Sequence, residues 1–172
     1  KIAIVTGGAQ GIGKGVTARL QAGGYGVVIA DSDAEAGRET LAELAPAGRL
    51  WFAETDVAAE DSVAACIASA IRHGGRLDAV VNNAGIARAP RVPVEQLTLA
   101  SWNRQLGVNL TGAFLMAKHA APHLRQAADR RAGSVPAGAR QSCGSGRGPG
   151  RRSDGARQGP LQQAAGGHAL HH

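Results

Sequence analysis

Two hydrophobic periods alternate along most of this chain. Short runs that are apolar at every position (Ile2 to Val5, Val27 to Ala30 and Leu50 to Ala53), and Leu77 to Val81, apolar but for Asp78, have the pattern of strands buried on both faces. Between them, apolar residues recur every three or four positions, as in Ile12, Val16 and Leu20, or Val63, Ile67 and Ile71. The pattern predicts a strand over Lys1–Thr6 and a helix over Gly11–Ala22, closed by Gly23-Gly24. A second strand runs over Gly26–Ala30 and ends at Asp31. A helix follows from Ala34 to about Leu44, capped by Ser32 or Asp33 and broken at Ala45-Pro46-Ala47-Gly48. The third strand is Leu50–Ala53. The next helix carries Glu60 and Asp61 in its first turn and stops at Gly74-Gly75, and the fourth strand is Leu77–Val81.

Strict alternation of strand and helix implies right-handed βαβ units on a parallel sheet. The expected fold class is α/β, a Rossmann-like doubly wound sheet with strand order 3-2-1-4. Gly133-Ser134-Val135 reads as at most a stub of a fifth strand, which would leave apolar surface exposed beside the fourth. The stretch from Ile86 to Val94 reads as a loop. A long helix is expected from about Leu99 to Gln126, with Trp102, Leu106, Leu110, Phe114 and Leu115 as its apolar members. Pro122 is expected to kink or end it. Asn109, Gly107 and Gly112 are poor residues for a helix interior, so something other than helix stability accounts for them.

Candidate chemistry begins at the first turn, Thr6-Gly7-Gly8-Ala9-Gln10-Gly11-Ile12-Gly13. Glycines at Gly7, Gly11 and Gly13 suit a tight exit from the strand, a close backbone approach to a pyrophosphate, and close packing of helix on sheet. The helix start aims free N–H groups and its positive dipole end at such a ligand. Asp31, at the end of the second strand, is the acidic residue that accompanies this pattern.

Composition changes the picture mainly at the C-terminal end. The 172 residues are 44% hydrophobic but only 3% aromatic, so the core must be built from Ala, Val, Leu and Ile. No run reaches about 20 apolar residues, the length of a membrane span, and Lys1 leads straight into a core strand, so no leader is read. Cys66 and Cys143 lack metal-ligand spacing, and Cys66 reads as a small buried hydrophobe. Together these suggest a cytoplasmic protein with no membrane partner and no metal. The net charge is +6. Five of the Lys and Arg and one of the Asp and Glu fall from Gly133 onward, so that segment holds +4 and the rest +2.

Taken together, the glycine turn, Asp56-Val57, Asn82-Asn83-Ala84-Gly85 and Asn109 resemble the classical short-chain dehydrogenase/reductase family, over about residues 1 to 132. The resemblance implies an oxidoreductase that moves a hydride between a nicotinamide cofactor and a small-molecule alcohol or carbonyl substrate. It implies that Gly7, Gly11, Ile12 and Gly13 hold the diphosphate and that Asp31 binds the adenosine ribose hydroxyls. Asp31 would repel a 2′-phosphate, so NAD(H) is expected over NADP(H). Lys14 is either a solvated lysine or a phosphate neighbour. Asp56 would meet the adenine with Val57 beside it. Asn83, Ala84 and Gly85 would line the adenosine, and Asn109 would interrupt its helix and hold a water of the proton relay. The family is homo-oligomeric, with the long helix in a dimer face. Arg88 and Arg91 are either solvated or near an anionic substrate.

The family's acid/base is a tyrosine followed four residues later by a lysine that lowers its pKa. Here the one tyrosine is Tyr25, the lysines are Lys1, Lys14 and Lys118, and no Tyr-x-x-x-Lys occurs. Ser142 and Ser145 lie near where a catalytic serine is expected. From Gly133 to His172, ten of 40 residues are glycine and the large aliphatics are Val135, Leu161 and Leu170. Such a segment cannot bury enough apolar surface to offset its ordering entropy, so residues 133–172 are expected to be a disordered, basic, low-complexity tail after a domain at 1–132. Three origins for it stand: an Arg/Gly-rich nucleic-acid arm, disfavoured because no aromatic is interleaved; an inert tail; or a GC-rich gene read out of frame. The third is preferred, because the break falls inside an expected strand. The chain is then a fragment lacking its chemistry, an expectation that the absence of an initiator Met also suggests; the alternative function is a non-catalytic nucleotide-binding module.

Overall fold

The computed structural model describes residues 1–45, 48–87 and 92–133. Four strands form one parallel sheet in the order β3-β2-β1-β4: β1 (Ile2–Thr6), β2 (Gly26–Asp31), β3 (Leu50–Glu54) and β4 (Ala79–Val81). Helices α1 (Gly11–Ala22), α2 (Ala34–Leu44) and α3 (Glu60–Gly74) connect them, as the hydrophobic periods predict. Asp33 caps α2 by accepting the Ala36 N–H, and Gly75 closes α3 at φ 67°.

Alternation along the strands sorts the core into two faces. Ile2, Ile4, Val28 and Ala30 point toward α3 and the long C-terminal helix, where they meet Val63, Cys66, Ile67, Leu115 and Met116. Val5, Val27 and Ile29 point the other way, against Val16 and Leu20 of α1 and Leu41 and Leu44 of α2. Each such aliphatic side chain contributes about 1.5–3 kcal/mol on burial, so this aromatic-poor core is sufficient for a central sheet. Burial also pushes the Cys66 thiol pKa up, which leaves it a packing group rather than a nucleophile.

The structure departs from the sequence expectations in five places. Ile12 is 81% exposed instead of sharing the buried face of Val16 and Leu20, because it lies in the first turn of α1, at the mouth of the glycine turn. The strand expected from Leu77 starts at Ala79: Leu77 is buried, but the Asp78 carboxylate takes the Ile2 N–H at 2.8 Å and accepts both Nε and a terminal N–H of Arg76. The long helix is α4 (Leu99–Leu106), a π-helical segment (Gly107–Thr111) and α5 (Gly112–Gly133), so it runs past Gln126. Pro122 neither ends it nor prevents its last turns, because Ala120 and Ala127 are buried on either side and Arg131 reaches back to Asp78. Gly133 therefore ends a helix and does not begin a strand, while Ser134 and Val135 lie outside the described residues. Finally, of the expected apolar members only Leu115 is buried; Trp102, Leu106, Leu110 and Phe114 are exposed, together with Leu99. Residues of β4 are half-buried at the sheet edge, as the expected open surface beside it requires.

Candidate functional site

The direction in which successive strands are added reverses at β1, since β2 and β3 lie on one side of it and β4 on the other. At such a switch point the loops after the strands part and leave a crevice. The loops there are Gly7–Gln10 after β1 and Asn82–Gly85 after β4. Thr6 fastens them together. Its hydroxyl donates to the Val81 carbonyl at 3.2 Å and accepts the N–H groups of Asn83 and Ala84 at 3.0 Å each. The Asn83 amide donates in return to the carbonyls of Thr6 and Gly7, at 3.0 and 3.1 Å. Asn83 and Ala84 are thus built into the floor of the crevice.

Two glycines are demanded by this geometry. A side chain at Gly13 would collide with the Gly7 carbonyl and come within 2.6 Å of Asn83 Nδ2. Gly11 has φ 54°, and no described residue lies within 4 Å of where its side chain would stand. Open space therefore faces the start of α1. There the N-cap residue Gln10 makes no side-chain cap and no acid occupies the first turn, so among the described residues the leading N–H groups have no side-chain partner. An anionic group of ligand size fits this cradle.

Asp31 closes one side. Its Oδ2 accepts the Ala9 N–H at 3.0 Å and its Oδ1 the Asp33 N–H at 3.1 Å, which sets the carboxylate beside the glycine turn with lone pairs to spare. Thr40 of α2 donates to the Ala9 carbonyl at 2.5 Å and holds the same turn from behind. Lys14 is directed to α2, where its Nζ lies 2.6 Å from Glu43 Oε2. Asp56 is exposed after β3, with its Oδ1 accepting the Ala58 N–H, while Val57 is buried against Gly112. A side chain at Gly112 would come 2.8 Å from Val57 Cγ2, which explains the glycine inside that helix.

Asn109 is explained in the same way. It lies in the π-helical segment, a local one-residue insertion of the kind that re-aims side chains. Its Oδ1 accepts the Ile86 N–H at 2.8 Å and its Nδ2 donates to the Ile86 carbonyl at 3.0 Å. The helix so fixes the loop that leaves Gly85. Tyr25 lies at the opposite end of the strands, just before the inner strand β2, where Lys1 stands 5.5 Å over its ring and away from the crevice. Arg88, Arg91, Ser142, Cys143 and Ser145 lie outside the described residues. Among the described residues no three His, Cys, Asp or Glu gather as a metal cage, and no helix is long and apolar enough to cross a membrane. Thr40 and Asp78 carry no motif in the sequence; Thr6 stands inside one, but nothing there shows that its hydroxyl joins two loops.

A parallel sheet with a glycine cradle at its switch point defines a doubly wound, nucleotide-binding class of fold. Residues 1–135 match the family profile described as short chain dehydrogenase. The chain belongs to this family of oxidoreductases. It is 44% identical over 140 residues to the sex determination protein tasselseed-2 of Zea mays, covering 78% of this chain and 40% of that one. It is 42% identical over 128 residues to cis-4-hydroxycyclohexanecarboxylate dehydrogenase of Sinomonas cyclohexanicum, covering 74% and 51%. Among solved structures it is similar to the 3-ketoacyl-(acyl-carrier-protein) reductase of Brucella melitensis complexed with NADH, with TM-score 0.71, 31% identity, and coverage of 76% of this chain and 52% of that one. The chain thus spans about half or less of the length of these curated relatives.

Proposed function

We propose that residues 1–132 form an NAD(H)-binding domain at the β1 switch point. In a whole protein it would serve hydride transfer between the nicotinamide and an alcohol or carbonyl substrate. The observation that carries the reading is the Asp31 carboxylate, fixed by the Ala9 N–H at 3.0 Å beside a glycine cradle open at Gly11. When bound, the nicotinamide supplies or accepts the hydride. Gly7, Gly11, Ile12 and Gly13 receive the diphosphate, and Asp31 accepts the ribose hydroxyls and disfavours a 2′-phosphate. The Lys14–Glu43 pair supports the same preference, since it engages the nearby cation. Asp56 and Val57 border the adenine, Asn83, Ala84 and Gly85 line the adenosine, and Asn109 holds the loop beside the reacting end and serves the proton relay.

Proton transfer at the substrate oxygen needs an acid of suitable pKa within hydrogen-bond reach. The one tyrosine, Tyr25, lies at the opposite end of the strands from the crevice, and the sequence contains no Tyr-x-x-x-Lys. We therefore read these residues as binding cofactor without turning it over, and the basic segment from Gly133 as the product of a shifted reading frame. The exposed row of Leu99, Trp102, Leu106, Leu110 and Phe114 supports a homo-oligomer face in a whole protein. The discriminating experiment is a turnover assay of the full chain with NAD and a panel of secondary alcohols. The reading expects nucleotide binding with no rate above blank; a rate above blank contradicts it.

A further inference from the structure

Away from the crevice, α3 and α5 enclose a half-open groove of about 300 Å³ that the cofactor reading does not use. Its walls are Ala64, Ile67, Ala68 and Ile71, and its polar lining is His119 and His123. We propose that these two imidazoles form a site for a divalent transition-metal ion, with Glu60 as its outer carboxylate.

The spacing His119-Ala120-Ala121-Pro122-His123 sets the two rings one helical turn apart on one face of α5. Their common groove shows that both face the same space. Histidines at this spacing on one helix face are a recurrent pair of metal ligands. His119 Nε2 lies 2.8 Å from Glu60 Oε1, and the same oxygen accepts Lys118 Nζ at 2.7 Å. That carboxylate oxygen can only accept, and it already takes the Lys118 ammonium. Nε2 of His119 then carries the hydrogen, and Nδ1 keeps its lone pair for an ion. Histidines that bind metals characteristically give the other ring N–H to a carboxylate in this way, and Glu60 is already in place to receive it. Among the described residues His123 has no hydrogen-bond partner, so both its ring nitrogens are available.

Imidazole nitrogen selects Zn²⁺, Cu²⁺ or Ni²⁺ over Mg²⁺ or Ca²⁺, which prefer oxygen. The walls add no competing donor. Among the described residues no third His, Cys, Asp or Glu completes a cage, so water fills the remaining positions and the ion is exchangeable.

The test is a Zn²⁺ titration of the full chain carrying His168→Ala, His171→Ala and His172→Ala, followed by calorimetry and thermal unfolding. One equivalent should bind and raise the melting temperature. Cu²⁺ should bind more tightly than Zn²⁺, and Mg²⁺ should leave the melting temperature unchanged. His119→Ala or His123→Ala should weaken binding by about tenfold or more, and Glu60→Gln should weaken it less. A second measurement needs no change at the site: substoichiometric Cu²⁺ should broaden the NMR ring signals of His119 and His123 and leave that of His73 sharp. Unchanged affinity in His123→Ala, or broadening of His73 first, overturns the proposal.

Discussion

Thr6 is 1% exposed and makes three hydrogen bonds through one hydroxyl, the join between the loops after β1 and β4. Thr6→Val keeps the shape and leaves the Asn83 and Ala84 N–H groups without their acceptor. An unsatisfied buried polar group costs about 1–3 kcal/mol, so the variant should lose roughly that much or somewhat more stability. Thr6→Ser should recover most of it, and urea unfolding of the pair reads the difference. If both variants match the parent, the hydroxyl does not hold the crevice. The glycine spacing and Asp31 were legible in the sequence because each has a stereochemical signature next to an apolar run. The role of Thr6 was not, since a threonine ending a strand is ordinary until its partners, 75 to 78 residues away, are known. The same holds for Asn109: its misfit in a helix was visible, but Ile86, 23 residues earlier, was not.

At the scale of elements, α1, α2 and α3 were legible because periodicity, caps and glycine stops agreed. The long helix was harder. Its exposed apolar row has helical period, and period alone does not say whether a face is covered. Its end was misplaced because the contact that secures the last turns, Arg131 with Asp78, bridges distant segments. That contact has a pH signature. Burial of the Asp78 side chain raises its pKa, but hydrogen bonds from Arg76, Arg131 and the Ile2 N–H outweigh it and hold the carboxyl well below the usual range. A folded pKa below the unfolded value, about 3.9, means that Asp78 stabilises the fold fully above about pH 5. That contribution is lost as pH falls toward the folded value. Asp78→Asn should cost about 1–3 kcal/mol at neutral pH, through loss of charge-assisted hydrogen bonds to the part-exposed Arg76 and Arg131. It should also flatten the fall in stability between about pH 5 and pH 3. Chemical denaturation across that range checks both; a variant with the parent's slope contradicts the assignment to Asp78.

For the whole molecule, strand order, parallel direction and the two-faced core follow from the alternation of elements, and the structure shows the order 3-2-1-4. The charge balance assigned the basic excess largely to residues 133–172, and the fold of the remainder rests on an aliphatic core rather than on charge. Family membership carries the nucleotide reading to this chain, while the proposal that it prefers NAD(H) rests on the Asp31 carboxylate beside the glycine turn. The most direct measurement is therefore paired titration of the full chain with NADH and NADPH, followed by nucleotide fluorescence, in the parent, in Asp31→Ser and in Gly13→Val. Saturable NADH binding is predicted, at least about tenfold tighter than NADPH, the scale of one lost charge–charge or hydrogen-bonding contact. Asp31→Ser should narrow that ratio and Gly13→Val should abolish binding of both. Equal affinity of the parent for the two cofactors, or NADH binding that survives Gly13→Val, would contradict the cradle as described.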